Sequence, residues 1–262
     1  RRTVRSAHRL SGRLPVDVVR RRPDRGAGRR VVADRFAGRF GDGTRRPDGE
    51  SGDRAASSVA NRRNDPADSA ADDDRRGLAG CIPLYKVVGA ASEEGKSLDE
   101  LYELGERFNK GIATLAVAMN KCTHPQNDAT ITDLPEGIME IGMGQHGEGG
   151  GGQEALISAD DTAEKMVGLL MRKLQAKAGD KVLLYINGVG ATTHMEMNIV
   201  FRRAYQVLEA AGVKVVDGRI GEMLTVQEQS GFQMILGRMD DDHIDYLKNH
   251  MANAPYWTTV QK

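Results

Sequence analysis

The first 76 residues contain no Lys, Met, Ile, Tyr, Trp, Gln or Cys. Met, Ile, Tyr and Trp among these help to build a core, and the few apolar pairs left, Val18-Val19 and Val31-Val32, are too sparse to bury one. What fills the segment is Arg: 20 Arg stand against 11 Asp and 1 Glu, a charge of +8. The remainder of the chain carries −8, so the net charge of zero conceals two unlike polypeptides. The residues present are largely those of GC-rich codons, as out-of-frame translation of a GC-rich gene would give. A natural disordered tail and a basic arm for nucleic acid are the alternatives. Against the arm, the arginines are interleaved with aspartates and only Phe36 and Phe40 could stack on bases. Residues 1–76 are therefore expected to be non-globular, with no nucleic-acid partner.

Other absences bound the rest. Two cysteines, Cys81 and Cys122, make no disulfide framework and fit buried or half-buried thiols in a reducing compartment. Cys122 and His124 lack the second ligand pair of a zinc site, so no metal is expected. No apolar run reaches the roughly 20 residues that span a bilayer, and the arginine-rich start lacks a signal peptide's apolar centre. These features predict a soluble cytoplasmic protein without a membrane partner.

From residue 77 the texture changes. Leu78, Ile82, Tyr85 and Val88 have helical spacing, with Pro83 tolerable only in a first turn. Ser97-Leu-Asp-Glu100 is a capping box opening a second helix with Leu98, Leu101, Leu104 and Phe108 on one face. Thr114 to Met119 reads as a buried strand and Cys122 to Asp133 as a polar loop. After residue 138 strands and helices alternate: a helix capped by Ser158, a strand from Lys181 to Ile186, a long helix through Met197, Val200, Phe201, Ala204 and Leu208, strands Val213 to Ile220 and Phe232 to Met239, and a short helix from Asp240 to His250. The expected fold is α/β, a layered parallel or mixed sheet with flanking helices and mainly parallel pairing. Residues 77–138 read as the remnant of a first α/β domain, and 139–262 as a second.

Two glycine-rich loops follow strands. The first, Met139-Glu-Ile-Gly-Met-Gly-Gln-His-Gly-Glu-Gly-Gly-Gly-Gly152, places His146 between Gly144 and Gly147, where the backbone can turn sharply and a small molecule approach. A neutral imidazole is a nucleophile able to add to a carbonyl carbon. Gly142-x-Gly144-x-x-Gly147 matches a dinucleotide fingerprint literally, but no helix starts on its third glycine, so it is rejected as a nucleotide site. The second loop, Asn187-Gly-Val-Gly-Ala-Thr-Thr193, could lie at the same sheet end and line the same pocket. The remaining histidines, His8, His124, His194, His243 and His250, read as loop or helix-surface residues.

Four segments in order, Asp72-Asp-Asp-Arg-Arg-Gly-Leu-Ala-Gly80, Lys86-Val-Val-Gly-Ala-Ala91, Met139 to Glu148 and Asn187-Gly-Val-Gly-Ala-Thr192, resemble the substrate-binding subunit of dihydroxyacetone kinases over roughly residues 72–262. The resemblance implies that His146 anchors a short ketose, dihydroxyacetone or a relative, as a hemiaminal, with Gly144, Gly147 and Glu148 shaping the loop. It implies a phosphotransferase whose nucleotide sits elsewhere. No cofactor is bound by this chain, and ATP or a phosphotransferase-system donor, with ADP and Mg, belongs to a separate nucleotide-binding kinase subunit. A homodimer is the expected assembly. The family's Gly-Ser-Gly-His-Glu-Pro and Gly-Asp-x-x-Asn-Phe motifs, the second supplying the base, do not occur in residues 1–76. Gln145 and Gly149 stand where Ile and Pro are commoner, and no nucleotide-binding domain follows Lys262. The chain as given is expected to be inactive alone. The alternative is a non-catalytic relative that binds a small carbonyl compound and regulates a partner.

Overall fold

The computed structural model describes residues 57–58, 78–124, 126–127, 129–143, 152–252 and 256–257. Of the arginine-rich segment only the two-residue strand β1 (Ser57–Ser58) falls within them.

A 3-10 turn at Leu78–Gly80 leads into helix α1 (Cys81–Glu93). Pro83 is its third residue, where the backbone has no intrahelical acceptor for an N–H and loses nothing. Helix α2 (Leu98–Gly111) opens on the expected capping box: Ser97 Oγ accepts from the Glu100 N–H, and the Glu100 carboxylate accepts from the Ser97 N–H at 2.8 Å. These bonds, with Lys96 behind them, hold the Glu100 carboxyl down at about 2. Strand β2 (Ile112–Ala118) follows at once and is buried along its whole length, as its apolar run, interrupted only by Thr114, requires of a strand covered on both faces.

The polar stretch after β2 is not plain loop. It forms a small hairpin, β3 (Cys122–Thr123) with β4 (Thr130–Thr132). Strands β5 (Ile138–Ile141) and β6 (Gln153–Ala155) form a second hairpin. Then come α3 (Ala159–Leu174), β7 (Lys181–Gly188), α4 (His194–Ala210), β8 (Lys214–Gly221), β9 (Gly231–Arg238) and α5 (Asp241–Lys248).

The main sheet has the order β6-β5-β2-β9-β7-β8, with β1 beside the lower half of β2. It is mixed, and the mainly parallel pairing expected from alternation is corrected. Among the described strands the parallel pairs are β7–β8 and β1–β2, with one isolated parallel bridge between Gly190 and Gln229. Strand β9 runs antiparallel to both β2 and β7 over seven residue pairs each. The reason lies in the connections. Helix α4 supplies the long crossover a parallel neighbour needs, whereas β8 reaches β9 through residues 222–230 without a helix, so the chain comes back antiparallel.

Helices α3 and α4 cover one face of the sheet, packing Met166, Leu170, Met197 and Leu208 onto Leu115, Val117, Leu184, Ile186, Met234 and Leu236. Helices α1, α2 and α5 cover the other, with Val87, Leu101, Phe108 and Leu247 on Ile112, Leu183, Tyr185 and Ile235. Each of these side chains is worth about 1.5–3 kcal/mol in burial, so the two helical layers together hold the central strands. The boundary expected between residues 138 and 139 cuts β5, and β2 from before it sits between β5 and β9 from after it. The described strands on either side belong to one sheet. No described helix is long and apolar enough to cross a membrane.

Candidate functional site

His146, with Gly144, Gly147 and Glu148, lies outside the described residues. What the structure gives is the frame from which that loop springs. Strand β5 pairs with β2 at Val117–Ile141 and Ala118–Glu140. The Gly142 N–H then donates to the Ala116 carbonyl at 2.7 Å, and Gly152 returns its carbonyl to the Ile141 N–H at 3.4 Å. Gly142 (φ +88°) and Gly152 (φ +119°) both occupy backbone space that a side chain would disfavour, so the loop is entered and left through glycine for conformational reasons. Met139 is fully buried, and Met143 is 7% exposed. Glu154 on β6 pairs with Lys165 on α3 and ties the outer strand to the helical layer. The histidine is thus carried on the connection of a β-hairpin whose stem is fixed to the sheet.

Strands β2 and β7 run in the same direction, since both are antiparallel to β9, while β5 is antiparallel to β2. The register nonetheless sets Ile141, Val117, Phe232 and Gly188 on one row across the sheet, so the described starts of the two glycine loops, Gly142 and Gly188, lie near the same end of the sheet although their strands run in opposite senses.

The second loop is closed upon itself. A Cβ at Gly188 would stand 1.9 Å from a carboxylate oxygen of Glu222, and one at Gly190 (φ +137°) 1.9 Å from the Gln227 carbonyl oxygen. The backbone is spoken for as well: Val226 N–H donates to the Val189 carbonyl at 2.7 Å, and Ala191 N–H to the Gln229 carbonyl at 3.0 Å. At the start of α4 the Thr193–Glu196 capping box fills the helix N-terminus with a carboxylate. That cap engages the Thr193 and Glu196 amides and sets a negative charge where an anion would otherwise sit.

Beneath this loop lies a buried polar network that the periodicity did not disclose. Asn187, fully buried at the end of β7, accepts from the Met223 N–H (2.7 Å) and Leu224 N–H (3.0 Å) and donates to the Leu224 carbonyl (2.8 Å). It also donates to Gln233 Oε1 at 3.3 Å, and the same oxygen accepts from the Ala79 N–H at 3.0 Å. One amide pair thereby fixes β7, β9, the chain after β8 and the entry to α1. The available signal was a glutamine inside the apolar run Phe232-Gln-Met-Ile-Leu236, which a purely structural strand has no reason to hold.

Around the network, burial raises the Glu222 carboxyl, opposed by His194 and the Gly190 N–H. His124 and His194 are exposed, as expected of loop and helix-start residues. His243 is not a surface residue: it is 2% exposed, edge-on to Phe108, with Nε2 3.2 Å from the Leu104 carbonyl, and burial pushes its imidazole down. His250 lies between Glu94 (3.1 Å) and Asp245 (2.7 Å), and those two carboxylates raise it. Cys122 is buried and Cys81 half-buried, neither is in a disulfide, and no group of three or more metal-ligating side chains occurs among the described residues.

The Dak1 domain family model matches residues 61–255, beginning inside the arginine-rich segment. A PTS-dependent dihydroxyacetone kinase 1, dihydroxyacetone-binding subunit DhaK, from Listeria innocua serovar 6a is 34% identical over 175 residues, which are 66% of this chain and 53% of the relative. An L-erythrulose kinase from Pectobacterium atrosepticum is 33% identical over 185 residues, 69% of this chain and 31% of that protein. Among solved structures, a dihydroxyacetone kinase operon co-activator, DhaQ, superposes with a TM-score of 0.62 at 32% identity, covering 66% of this chain and 54% of its own. The chain spans about half the length of the DhaK relative it matches.

Proposed function

The chain belongs to the Dak1 domain family, and we propose that it is the substrate-binding part of a dihydroxyacetone-type kinase, holding a short ketose covalently on His146. The observation that carries this reading is the family match across residues 61–255, which includes the whole histidine loop. In the proposed step a lone pair of the neutral imidazole adds to the ketose carbonyl carbon. A C–N bond forms, the carbonyl π pair moves to oxygen, and that oxygen takes up a proton as the imidazole releases one, giving a neutral hemiaminal. Tethering fixes the substrate hydroxyl for phosphoryl transfer, a reaction governed by positioning and charge stabilisation. A hairpin stem pinned to β2 is a suitable mount for such a tether, since a rigid scaffold positions its loop. Gly144 and Gly147 give the loop its turns and Glu148 borders the bound ketose.

The phosphoryl donor, ATP or a phosphotransferase-system protein with its ADP and Mg, resides on a separate kinase subunit. The protein works in the cytoplasm as a homodimer. Dihydroxyacetone is the first candidate substrate, and erythrulose is the second because the relatives include an L-erythrulose kinase.

A second reading has its own support. The similarity to a co-activator at 32% identity, together with Gln145 and Gly149 in the loop, fits a regulatory relative that binds a small carbonyl compound without turnover. Reconstitution with a nucleotide-carrying kinase subunit separates the two. Ketose phosphorylation that falls at least about 100-fold in His146→Ala supports the enzyme. Binding that persists with no phosphorylation under any donor supports the regulator, and absence of both contradicts each.

A further inference from the structure

At the end of the sheet far from the stems of the glycine loops, where Ile112, Gly237 and Leu183 pair, lies a cleft of about 420 Å³. It is lined by Arg107 and Lys110 from α2, Lys181 from the start of β7 and Arg238 from the end of β9, against two acids, Asp180 and Asp240. Three of these bases are tied loosely. Arg107 meets Asp240 at 3.4 Å and Asp242 at 3.0 Å, and Lys181 meets Asp241 at 2.6 Å. Arg238 donates to the Leu174 carbonyl at 2.9 Å and stands 3.7 Å from Asp180. Asp241 and Asp242 are 87% and 71% exposed, so their pairs are worth little and yield to a stronger anion. Lys110 has no partner among the described residues.

The lining also holds a buried imidazole with an unmet need. The His243 side chain is 3% exposed, and its Nε2 lies 3.2 Å from the Leu104 carbonyl. A carbonyl only accepts, so the single proton of the neutral ring is on Nε2 and Nδ1 keeps its lone pair. That Nδ1 has no hydrogen bond, although Asp240 Oδ1 is 3.1 Å away. A lone pair set against a carboxylate oxygen is repulsive until a proton stands between them. Asp240 cannot turn aside without loss, because the same oxygen accepts from the His243 N–H at 2.8 Å and caps α5. Burial keeps the ring neutral, and Arg107 opposes its charge, while Asp240, the Leu104 carbonyl and Asp242 favour it.

We propose that this cleft is a second ligand site, which takes a small dianion of the phosphate class, as the monoester of a short polyol or as the free ion, on Lys110, Arg107 and Lys181, and that its binding places a proton on His243 Nδ1. The bases come from three elements, which suits a tetrahedral group with oxygens pointing several ways better than a planar carboxylate. The volume is that of a small-molecule site rather than of a bare ion, and the hydroxyls of an ester can donate to Asp180 and Asp240. The proton follows from the ion pairs. A dianion that draws Arg107 off Asp240 removes the charge opposing protonation of His243 and adds one that favours it. The ring then takes a proton from solvent and holds Asp240 in place of Arg107, so binding and protonation favour each other.

The site is independent of the chemistry at His146. It is tested by 15N spectra of the His243 ring in the full chain at about pH 6, titrated with sulfate, which stays a dianion throughout, and with glycerol phosphate. Each is expected to move the Nδ1 resonance toward its protonated range. Sulfate affinity is expected to fall severalfold between about pH 6 and about pH 8, since the proton is then harder to supply. Lys110→Glu, a change at an exposed position, is expected to weaken binding about tenfold or more and to remove the Nδ1 shift. The 20 Arg of residues 1–76 also attract anions, and the difference between wild type and Lys110→Glu takes their contribution out. Tighter binding of glycerol phosphate than of inorganic phosphate assigns the ester, and the reverse assigns the free ion. A Nδ1 resonance indifferent to every dianion, a shift that survives Lys110→Glu, or sulfate binding that ignores pH overturns the proposal.

Discussion

In the segment 187–193 the space that glycine leaves is already taken, by the Glu222 carboxylate above Gly188 and the Gln227 carbonyl above Gly190. In the segment 142–152 the described glycines sit at the two ends, with φ of +88° and +119°, and allow the chain to leave and rejoin a hairpin stem. Both segments look alike in sequence: an apolar strand, then glycines, then polar residues. They differ in what the glycine is for. One set lets the protein's own groups pack closely, with the Ala191 N–H donating to the Gln229 carbonyl and the Val189 carbonyl accepting from the Val226 N–H. The other opens and closes the connection between β5 and β6, where the proposed function puts its histidine. A glycine-rich loop is thus evidence of close approach, and only the structure tells whether the approaching group is a ligand or the protein itself.

The contrast can be broken from either side. The largest stability effect belongs to Gly190→Val. Its Cβ would enter the Gln227 carbonyl at a φ that β-branched residues avoid, and the expected loss is about 3 kcal/mol or more in urea unfolding. A variant as stable as the wild type would show that the loop is not packed shut. Asn187→Ala comes next. It strands the buried Met223 and Leu224 amides and should cost about 2–3 kcal/mol, while Gln233→Leu, which frees the Ala79 amide, should cost somewhat less. His146→Ala is the counterpart in the other loop. It should leave the unfolding midpoint within about 0.5 kcal/mol of wild type, so that function and stability fall on different glycine segments.

The smallest effects are in pH. His243 is held neutral by burial, so its contribution is complete above the ordinary imidazole value of about 6.5 and declines as pH falls through its lowered folded value. His250 is held charged by Glu94 and Asp245, so its contribution is complete below about 6.5 and declines as pH rises through its raised folded value. Thermal melts of His243→Gln and His250→Gln against wild type should diverge in opposite directions across this range. Parallel profiles would contradict the two environments. The His250 effect is the weaker, because its carboxylate partners are more than half exposed.

Much of the fold was legible. The Ser97 box, the Ser158 cap and the apolar runs of β2, β7 and β9 depend on local sequence and appear where spacing placed them. Pairing partners were not, because the antiparallel return of β9 depends on contacts between residues more than a hundred positions apart, such as Ile112 with Gly237. Strand β6 reads Gln-Glu-Ala and has no alternating apolar pattern to find, since it is a three-residue edge. His243 looked like a surface residue because α5 is short and polar, and its burial comes from Phe108 and Leu104 on another helix. Of the histidine loop, the residue types suggested the chemistry that the proposed function takes up, while the direction in which β5 runs was not legible.

The central claim is covalent capture by His146, and the most direct measurement is the 13C spectrum of a carbonyl-labelled short ketose titrated with the full chain. The account predicts loss of the ketone resonance and a new signal in the range of a carbon bonded to nitrogen and oxygen, absent with His146→Ala. A ketone resonance that persists at saturating protein, or a new signal that survives His146→Ala, would contradict it.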